Sequence, residues 1–259
     1  GRDCVGATMT LYRNEDIGIS RSRTCCSLED VEDARSVAFR LRIPYYVFNF
    51  SDEFRRQVMD RFADAYGQGR TPNPCIDCNR YLKFRHLYDR AALLGCDTIA
   101  TGHYARIERE NGRYLLKKAL DASKDQSYVL YMLTQEQLAH AQFPLGALHK
   151  AETRQLADSL GFFNARKPDS QDICFVPDGD YAAFIRRHTG KADTPGNFVD
   201  ESGRILGRHR GIAHYTIGQR KGLGIPSNRP LYVKAIDPKS NQVVLSGNDA
   251  LFSQPLTGE

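Results

Sequence analysis

No stretch of this chain approaches the roughly 18 consecutive apolar residues that a membrane-spanning helix requires, and no charged, apolar and small-residue leader opens it. Internal repeats and low-complexity segments are also missing, which sets aside solenoids and compositionally disordered chains. The seven cysteines, at positions 4, 25, 26, 75, 78, 96 and 174, are odd in number and unevenly placed, so they do not read as a disulfide framework. The single Cys-x-x-Cys, Cys75 and Cys78, has no second pair to complete a zinc site. Charge of one sign is scarce too: 36 basic against 31 acidic residues leave +5, which permits a nucleic-acid partner without demanding one. What is there is an ordinary globular composition, 259 residues with 41% hydrophobic and 26% charged, enough for one large or two smaller domains. In such a chain the cysteines point to metal binding or thiol chemistry rather than to structural bridges.

Residues 5–9 read as a buried strand, 45–50 as a second strand and 98–101 as a third. Between the first two, Ser27-Leu-Glu-Asp30 reads as a capping box, followed by Val31, Ala34, Val37, Ala38 and Leu41 at helical spacing until Pro44. Further helices are expected over residues 51–66, 80–94 and 151–160. Strands alternating with helices predict an α/β fold, a parallel sheet with helices on both faces. Ligands of such sheets bind beyond the carboxyl ends of the strands, which nominates Met9, Phe50-Ser51 and Thr101-Gly-His-Tyr104. From Asp180 onward glycine and proline thicken, and residues 231–236 and 242–245 read as a hairpin around Asp237-Pro-Lys-Ser-Asn241. The pattern predicts boundaries near residues 178 and 226. The abrupt opening and the trailing residues 249–259 read as the edges of a longer protein.

The sharpest local feature is Arg70-Thr-Pro-Asn-Pro-Cys-Ile-Asp-Cys-Asn79. Its prolines fix φ along the approach, and a helix from Arg80 would put Cys78 beside a helix amino terminus, where unpaired amides and the dipole favour a thiolate. Half of a zinc site, or a structural loop with incidental thiols, are the alternatives there. Cys174, in Asp169-Ser-Gln-Asp-Ile-Cys-Phe175, stands beside Ile and Phe and acquires meaning only if the fold brings it to Cys78. Cys4, Cys25, Cys26 and Cys96 read as structural. Residues 121–128 read as an exposed polar loop. Residues 204–221 carry five Lys or Arg, no acid, and His209, His214 and Tyr215 between them, a pattern that follows a phosphate backbone or merely covers a solvated surface.

Six segments, in order, resemble the tRNA-specific 2-thiouridylase family of the PP-loop class: Cys25-Cys-Ser-Leu-Glu-Asp-Val-Glu-Asp-Ala-Arg35, Gly69 to Asn79, Ala100-Thr-Gly-His-Tyr104, Lys124-Asp-Gln-Ser-Tyr128, Asp169 to Phe175 and Thr216-Ile-Gly-Gln-Arg-Lys-Gly-Leu-Gly224. The resemblance implies an ATP-dependent enzyme that replaces the C2 oxygen of the wobble uridine with sulfur in tRNAs for Lys, Glu and Gln. It implies a persulfide on Cys174, with Cys78 as partner thiol and a disulfide between the two at the end. Asn73, Pro74 and Cys75 match the segment that contacts the target base; some relatives carry Asp, proposed as a general acid/base, where Cys75 stands. Lys124, Asp125 and Gln126 match a tRNA-contacting loop, and Met9 and Gly102 match positions that hold the adenine nucleotide. The implied partners are tRNA and a persulfide donor, such as a cysteine desulfurase or a sulfur relay protein, in the cytoplasm and away from membranes. The family's Ser-Gly-Gly-Val-Asp-Ser pyrophosphate loop, with ATP and Mg2+, is expected ahead of residue 1, so that these residues alone should not adenylate uridine. The implied domains are a catalytic domain over 1–178, a small central tRNA-binding domain over 179–225 and the start of a β-barrel over 226–259.

Three other readings compete. One is a non-catalytic RNA-binding or sulfur-carrying relative that kept the thiols and the basic surface. Another is a zinc-stabilised RNA-binding module using Cys75 and Cys78. The third is a PP-loop ligase or amidase for a small molecule, against which the basic segment and the Lys124 loop argue.

Overall fold

The computed structural model describes residues 3–17, 28–165 and 173–251. It divides into two compact units, residues 1–58 with 74–177 and residues 59–73 with 178–259. Ser27 of the expected capping box, Cys25 and Cys26, and Asp169 to Asp172 of the Cys174 motif lie outside the described residues.

In the first unit, β1 (Gly6–Thr10), α1 (Leu28–Leu41) and β2 (Tyr45–Asn49) form a parallel strand–helix–strand element, with Gly6 opposite Tyr45 and Thr10 opposite Asn49. Val31 and Ala38, seven residues apart on α1, are the positions it buries, as the apolar spacing predicts. The Tyr45 hydroxyl lies 2.7 Å from Thr8 Oγ1 and 3.1 Å from the Val31 carbonyl, tying helix to strands. β2 leads into α2 (Ser51–Phe54) and a π-helical stretch, Arg55–Met59; α3 (Asp60–Gly67) belongs to the second unit.

The next helix begins earlier than the pattern suggests. α4 (Pro74–Asp77), a π-helical stretch over Cys78–His86 and α5 (Leu87–Leu93) follow one another without a break, where a loop to Asn79 was expected. Pro74 sits at the first helical position, where its missing N–H costs nothing and its fixed φ suits the helix. Cys78 therefore lies one turn inside the helix rather than at its start.

The unit continues through β3 (Ile99–Ala100), β4 (Ala105–Glu110), β5 (Arg113–Lys118), α6 (Gln135–Ala139), β6 (Ala141–Gln142) and α7 (Lys150–Ser159). β3 pairs in parallel with β6, not with β1 or β2. β4 and β5 form an antiparallel hairpin that hydrophobic patterning did not reveal, because its strands are rich in charge and mostly half-buried or exposed, with no clear apolar face. The signal that marks it is Asn111-Gly112, both at positive φ of 49° and 79°, as a tight hairpin turn requires.

The second unit holds α3, α8 (Tyr181–Thr189) and a four-stranded sheet of β7 (Gly196–Val199), β8 (Ile205–His209), β9 (Tyr232–Asp237) and β10 (Gln242–Ser246) in the order β8-β7-β10-β9. The expected hairpin is β9 with β10, antiparallel, and β10 continues the sheet by pairing in parallel with β7. Strands from both sides of residue 226 thus share one sheet. Its core is Phe198, Tyr215, Leu223, Val233, Val243 and Leu245. α8 departs from the helix-poor reading of this region. Asp180 caps it by accepting from Ala183 N at 2.9 Å, and Gly190 ends it in the left-handed conformation. Phe62 of α3 packs against Tyr181 and Phe184 of α8, each at 6.0 Å between ring centres, and His188 Nε2 lies 2.6 Å from Asp60 Oδ1. Gly69, at φ +69°, has Ile236 O only 2.8 Å from where a Cβ would stand, so no larger residue fits that turn.

Candidate active site

Parallel strands expose unpaired backbone at their carboxyl ends, and in this unit those ends are gathered by one helix. Phe50, just after β2, has its ring centre 6.3 Å from His86; His103, just after β3, lies 6.1 Å from Phe84; and Phe143, just after β6, lies 5.8 Å from Phe84. The π-helical stretch that begins at Cys78 thus crosses three strand ends. A widened helix leaves carbonyls short of donors, and here Gln137 supplies them, its Nε2 lying 3.3 Å from Arg80 O and 3.1 Å from Phe84 O. Gln137 is held by the capping box of α6 with Thr134.

The end of β1 fixes the other cysteine. Tyr12 donates its hydroxyl to the Cys174 carbonyl at 2.6 Å, and its ring lies 5.8 Å from Phe54, which in turn meets Phe175 edge-on at 5.6 Å. Phe175 and Val176 are buried, so Cys174 is anchored from its carboxyl side. α2, which carries Phe54, also packs on the stretch Cys78–His86. α2 thus touches Phe175, the residue after Cys174, and the stretch that Cys78 begins; Cys78 is buried, Cys174 half-buried and Cys75 exposed. Of the cysteines read as structural, Cys4 is exposed and Cys96 half-buried.

Pro74 is buried and Asn73 exposed. Met9 is half-buried on β1, and Gly102 is exposed just past β3. A Cβ at Gly102 would meet only Leu145 Cδ1, at 3.6 Å, so neither crowding nor a left-handed backbone demands glycine there.

In the polar loop the side chains divide. Asp125 accepts from Ala119 N at 2.8 Å and from the Ser127 hydroxyl at 2.7 Å, and Gln126 Oε1 accepts from Tyr104 N at 3.0 Å. Asp125 is partly desolvated, which opposes ionisation, but these donors outweigh that and hold its carboxyl below the usual range. Asp125 and Gln126 thus brace the loop against β3 and β5, while Lys124 remains at the surface.

Two more residues complete the site: His103, which the strand-end rule nominated within Thr101 to Tyr104, and Asn79, which sequence reasoning quoted only as the end of the Cys78 motif. His103 is 8% exposed, with Nδ1 2.7 Å from Thr101 Oγ1. Burial, with Lys83 nearby, pushes its pKa from 6.5 down to about 3, so it is a neutral imidazole at physiological pH. Asn79, beside Cys78, is 1% exposed; it donates Nδ2 to Val129 O at 3.0 Å, and its Oδ1 has no partner among the described residues. For Asn79 the only signal in the chain is its place next to Cys78.

The depressed His103 value has a sign that can be checked. Below pH 6.5 the unfolded chain takes up a proton that the folded one refuses, so stability falls on acidification towards pH 3. Each pH unit in that window costs about 1.4 kcal/mol at this one residue. A His103→Gln variant is expected to lose less melting temperature between pH 7 and pH 5 than the parent; equal losses would show that His103 does not carry the effect.

In the second unit, the basic segment keeps its charges outward and its rings inward. Arg204, Arg208, Arg210, Arg220 and Lys221 are exposed, with Arg204 paired to Asp200 at 3.0 Å. His209 and Tyr215 are buried against Phe198, and His214 lies 3.0 Å from Asp193. The aromatic interleaving expected from sequence therefore serves the sheet core rather than a surface.

Among the described residues no group of three or more His, Cys, Asp or Glu side chains converges as a metal site would require, and no helix is long and apolar enough to cross a membrane.

The class is then defined: a parallel α/β domain whose buried thiol and strand ends meet at one helix, joined to a small sheet domain. The family model described as a tRNA methyl transferase HUP domain matches residues 1–178, and the one described as a tRNA methyl transferase PRC-barrel domain matches 182–247. The tRNA-specific 2-thiouridylase MnmA of Lachnoclostridium phytofermentans is 53% identical over 258 residues, covering 99% of this chain and 72% of that protein. Those of Clostridioides difficile and Acetivibrio thermocellus are 50% and 51% identical, each over 99% of this chain and over 71% and 72% of the relative. The chain belongs to the tRNA-specific 2-thiouridylase family.

Proposed function

We propose that the protein is a tRNA-uridine 2-sulfurtransferase that thiolates C2 of the wobble uridine in tRNAs for Lys, Glu and Gln, in the cytoplasm, with a persulfide as sulfur source. The observation that supports this reading is that the two thiol-bearing segments, Phe175 after Cys174 and the stretch that Cys78 begins, both pack on α2, just past the carboxyl end of β2. Paired thiols suit sulfur transfer; a fold used only for binding RNA has no need to pin one cysteine's carbonyl and bury the other.

ATP, with Mg2+, would supply a leaving group: the C2 oxygen would bond to the α-phosphorus as pyrophosphate departs, and AMP would then leave in place of oxide. Met9 and Gly102 would hold its adenine nucleotide, with the exposed backbone of Gly102 free of a side chain where a planar group would approach. Asn73, Pro74 and Cys75 would meet the everted base, and Lys124 its phosphates, with Asp125 and Gln126 bracing that loop. Cys174 would carry the outer sulfur as a persulfide. In one order this sulfur bonds to C2, and the Cys78 thiolate then attacks Cys174 Sγ, breaking the S–S bond and leaving sulfur on C2. In the other, Cys78 attacks Cys174 Sγ first and releases hydrosulfide, which bonds to C2. Both orders oxidise the two cysteines to a disulfide that an external thiol must reduce before the next turnover.

Deleting the encoding gene is expected to remove 2-thiouridine from wobble positions, read by nucleoside mass spectrometry; unchanged 2-thiouridine would overturn the reading. Gly102→Ala supplies a narrower check. Its added methyl should leave the melting temperature within about 1 °C, since it meets nothing closer than 3.6 Å, yet weaken nucleotide binding by about 10-fold by filling the approach. Calorimetric titration with ATP would show this, and parent-like affinity would remove Gly102 from the nucleotide site.

A further inference from the structure

Downstream of Lys124 the chain winds through Gln126 to Leu133 with bonds from Val129 N to Gln126 O, Leu130 N to Ser127 O and Leu133 N to Leu130 O. The 3-10 turn itself spans Ser127–Val129, and Leu130 to Met132 follow as a turn, with exposed residues recurring three apart at Tyr128 and Tyr131. The inner side holds Leu130 and Leu133, which are buried, together with Val129. On the outer side stand Tyr128 and Tyr131, 62% and 69% exposed, and neither ring contacts another aromatic ring among the described residues.

This segment is unusually well tied down for one that holds two large rings in water. Gln126 exchanges bonds with Tyr104 in both directions, its N donating to Tyr104 O at 2.8 Å and its Oε1 accepting from Tyr104 N at 3.0 Å. Asp125 grips Ala119 N and the Ser127 hydroxyl, and Asn79 grips Val129 O. The last bond joins the turn directly to the residue after Cys78. Rings already held in place lose little entropy when a partner stacks on them.

We infer that Tyr128 and Tyr131 form a stacking platform for unpaired nucleotides of the RNA substrate, with Lys124 beside them for the phosphates. Unpaired bases are recognised by stacking on aromatic rings, and the bases flanking a flipped nucleotide need support of this kind. The platform rests on the reading of tRNA as substrate, and it lies in the unit that holds both cysteines, linked through Asn79 to the Cys78 helix.

The chain has no tryptophan, so Tyr128→Trp and Tyr131→Trp each install a single reporter. Titrating the full chain with an unmodified anticodon stem–loop transcript of a lysine tRNA should quench that emission, saturating at the concentrations where filter retention shows binding. Tyr128→Ala and Tyr131→Ala should each weaken retention about 10-fold with unchanged melting temperature, while the phenylalanine variants stay within about 2-fold because the ring is kept. If the parent retains the transcript but the reporters are silent and the alanine variants bind like the parent, the platform is overturned while the substrate reading stands. If the parent does not retain the transcript at all, both fall together.

Discussion

Replacing Cys78 or Cys174 by serine is expected to lower 2-thiouridine formation by at least about 10³-fold, the scale of losing a group that itself forms and breaks bonds. A hydroxyl cannot carry a transferable sulfur or attack a disulfide sulfur as a thiolate does, and each cysteine has one of these tasks in either order of steps. Neither substitution disturbs the fold by its size. Cys174 is held through its backbone carbonyl by Tyr12, a bond that serine keeps, and Cys78 differs from serine by one atom in a buried helix. tRNA affinity should therefore remain within about 2-fold of the parent, because phosphate contacts dominate binding. The measurement is rescue of the deletion strain with each variant, read by nucleoside mass spectrometry, beside filter binding of the purified variants. Substantial 2-thiouridine from either variant would remove that cysteine from the mechanism; loss of tRNA binding as well would make its role structural.

Asn79→Asp is expected to destabilise the first unit by about 3–5 kcal/mol at neutral pH, the usual consequence of a buried charge without a partner. The amide that donates to Val129 O becomes a second acceptor facing that carbonyl, and Oδ1 already lacks a donor. Burial must raise the new carboxyl's pKa above its unfolded value of about 3.9. The folded state then holds its proton more tightly, so the penalty is small near pH 4 and grows by about 1.4 kcal/mol per pH unit until the carboxyl ionises in place. Thermal melts at pH 5 and pH 8 should show the gap between variant and parent widening with pH. A gap independent of pH would mean that the Asn79 site is open to water.

How far the chain could be read without its structure depends on where each signal is stored. α1 announces itself because burial on one side repeats at the helical period, as at Val31 and Ala38, whereas β2 shows only as a short apolar and aromatic run whose residues are half-buried or exposed. The β4–β5 hairpin carries no such contrast, since its strands are charged and mostly half-buried or exposed, although Asn111-Gly112 marks its turn. α8 was missed because neighbouring glycines and prolines outweighed the Asp180 cap. The motif around Cys75 and Cys78 was plain, yet the start of its helix was misplaced, since a proline can introduce a helix as readily as interrupt one.

The order of local elements, the thiol-bearing segments and the family are properties of the linear chain, because covalent spacing and side-chain chemistry write them into neighbouring residues. That Tyr12 holds Cys174, that Asn79 reaches Val129 across fifty positions, that Asp125 and Gln126 brace a loop and that His103 is neutral were decided only in three dimensions. Hydrogen bonding and desolvation depend on which distant groups fold together, and a separation along the chain does not encode a separation in space.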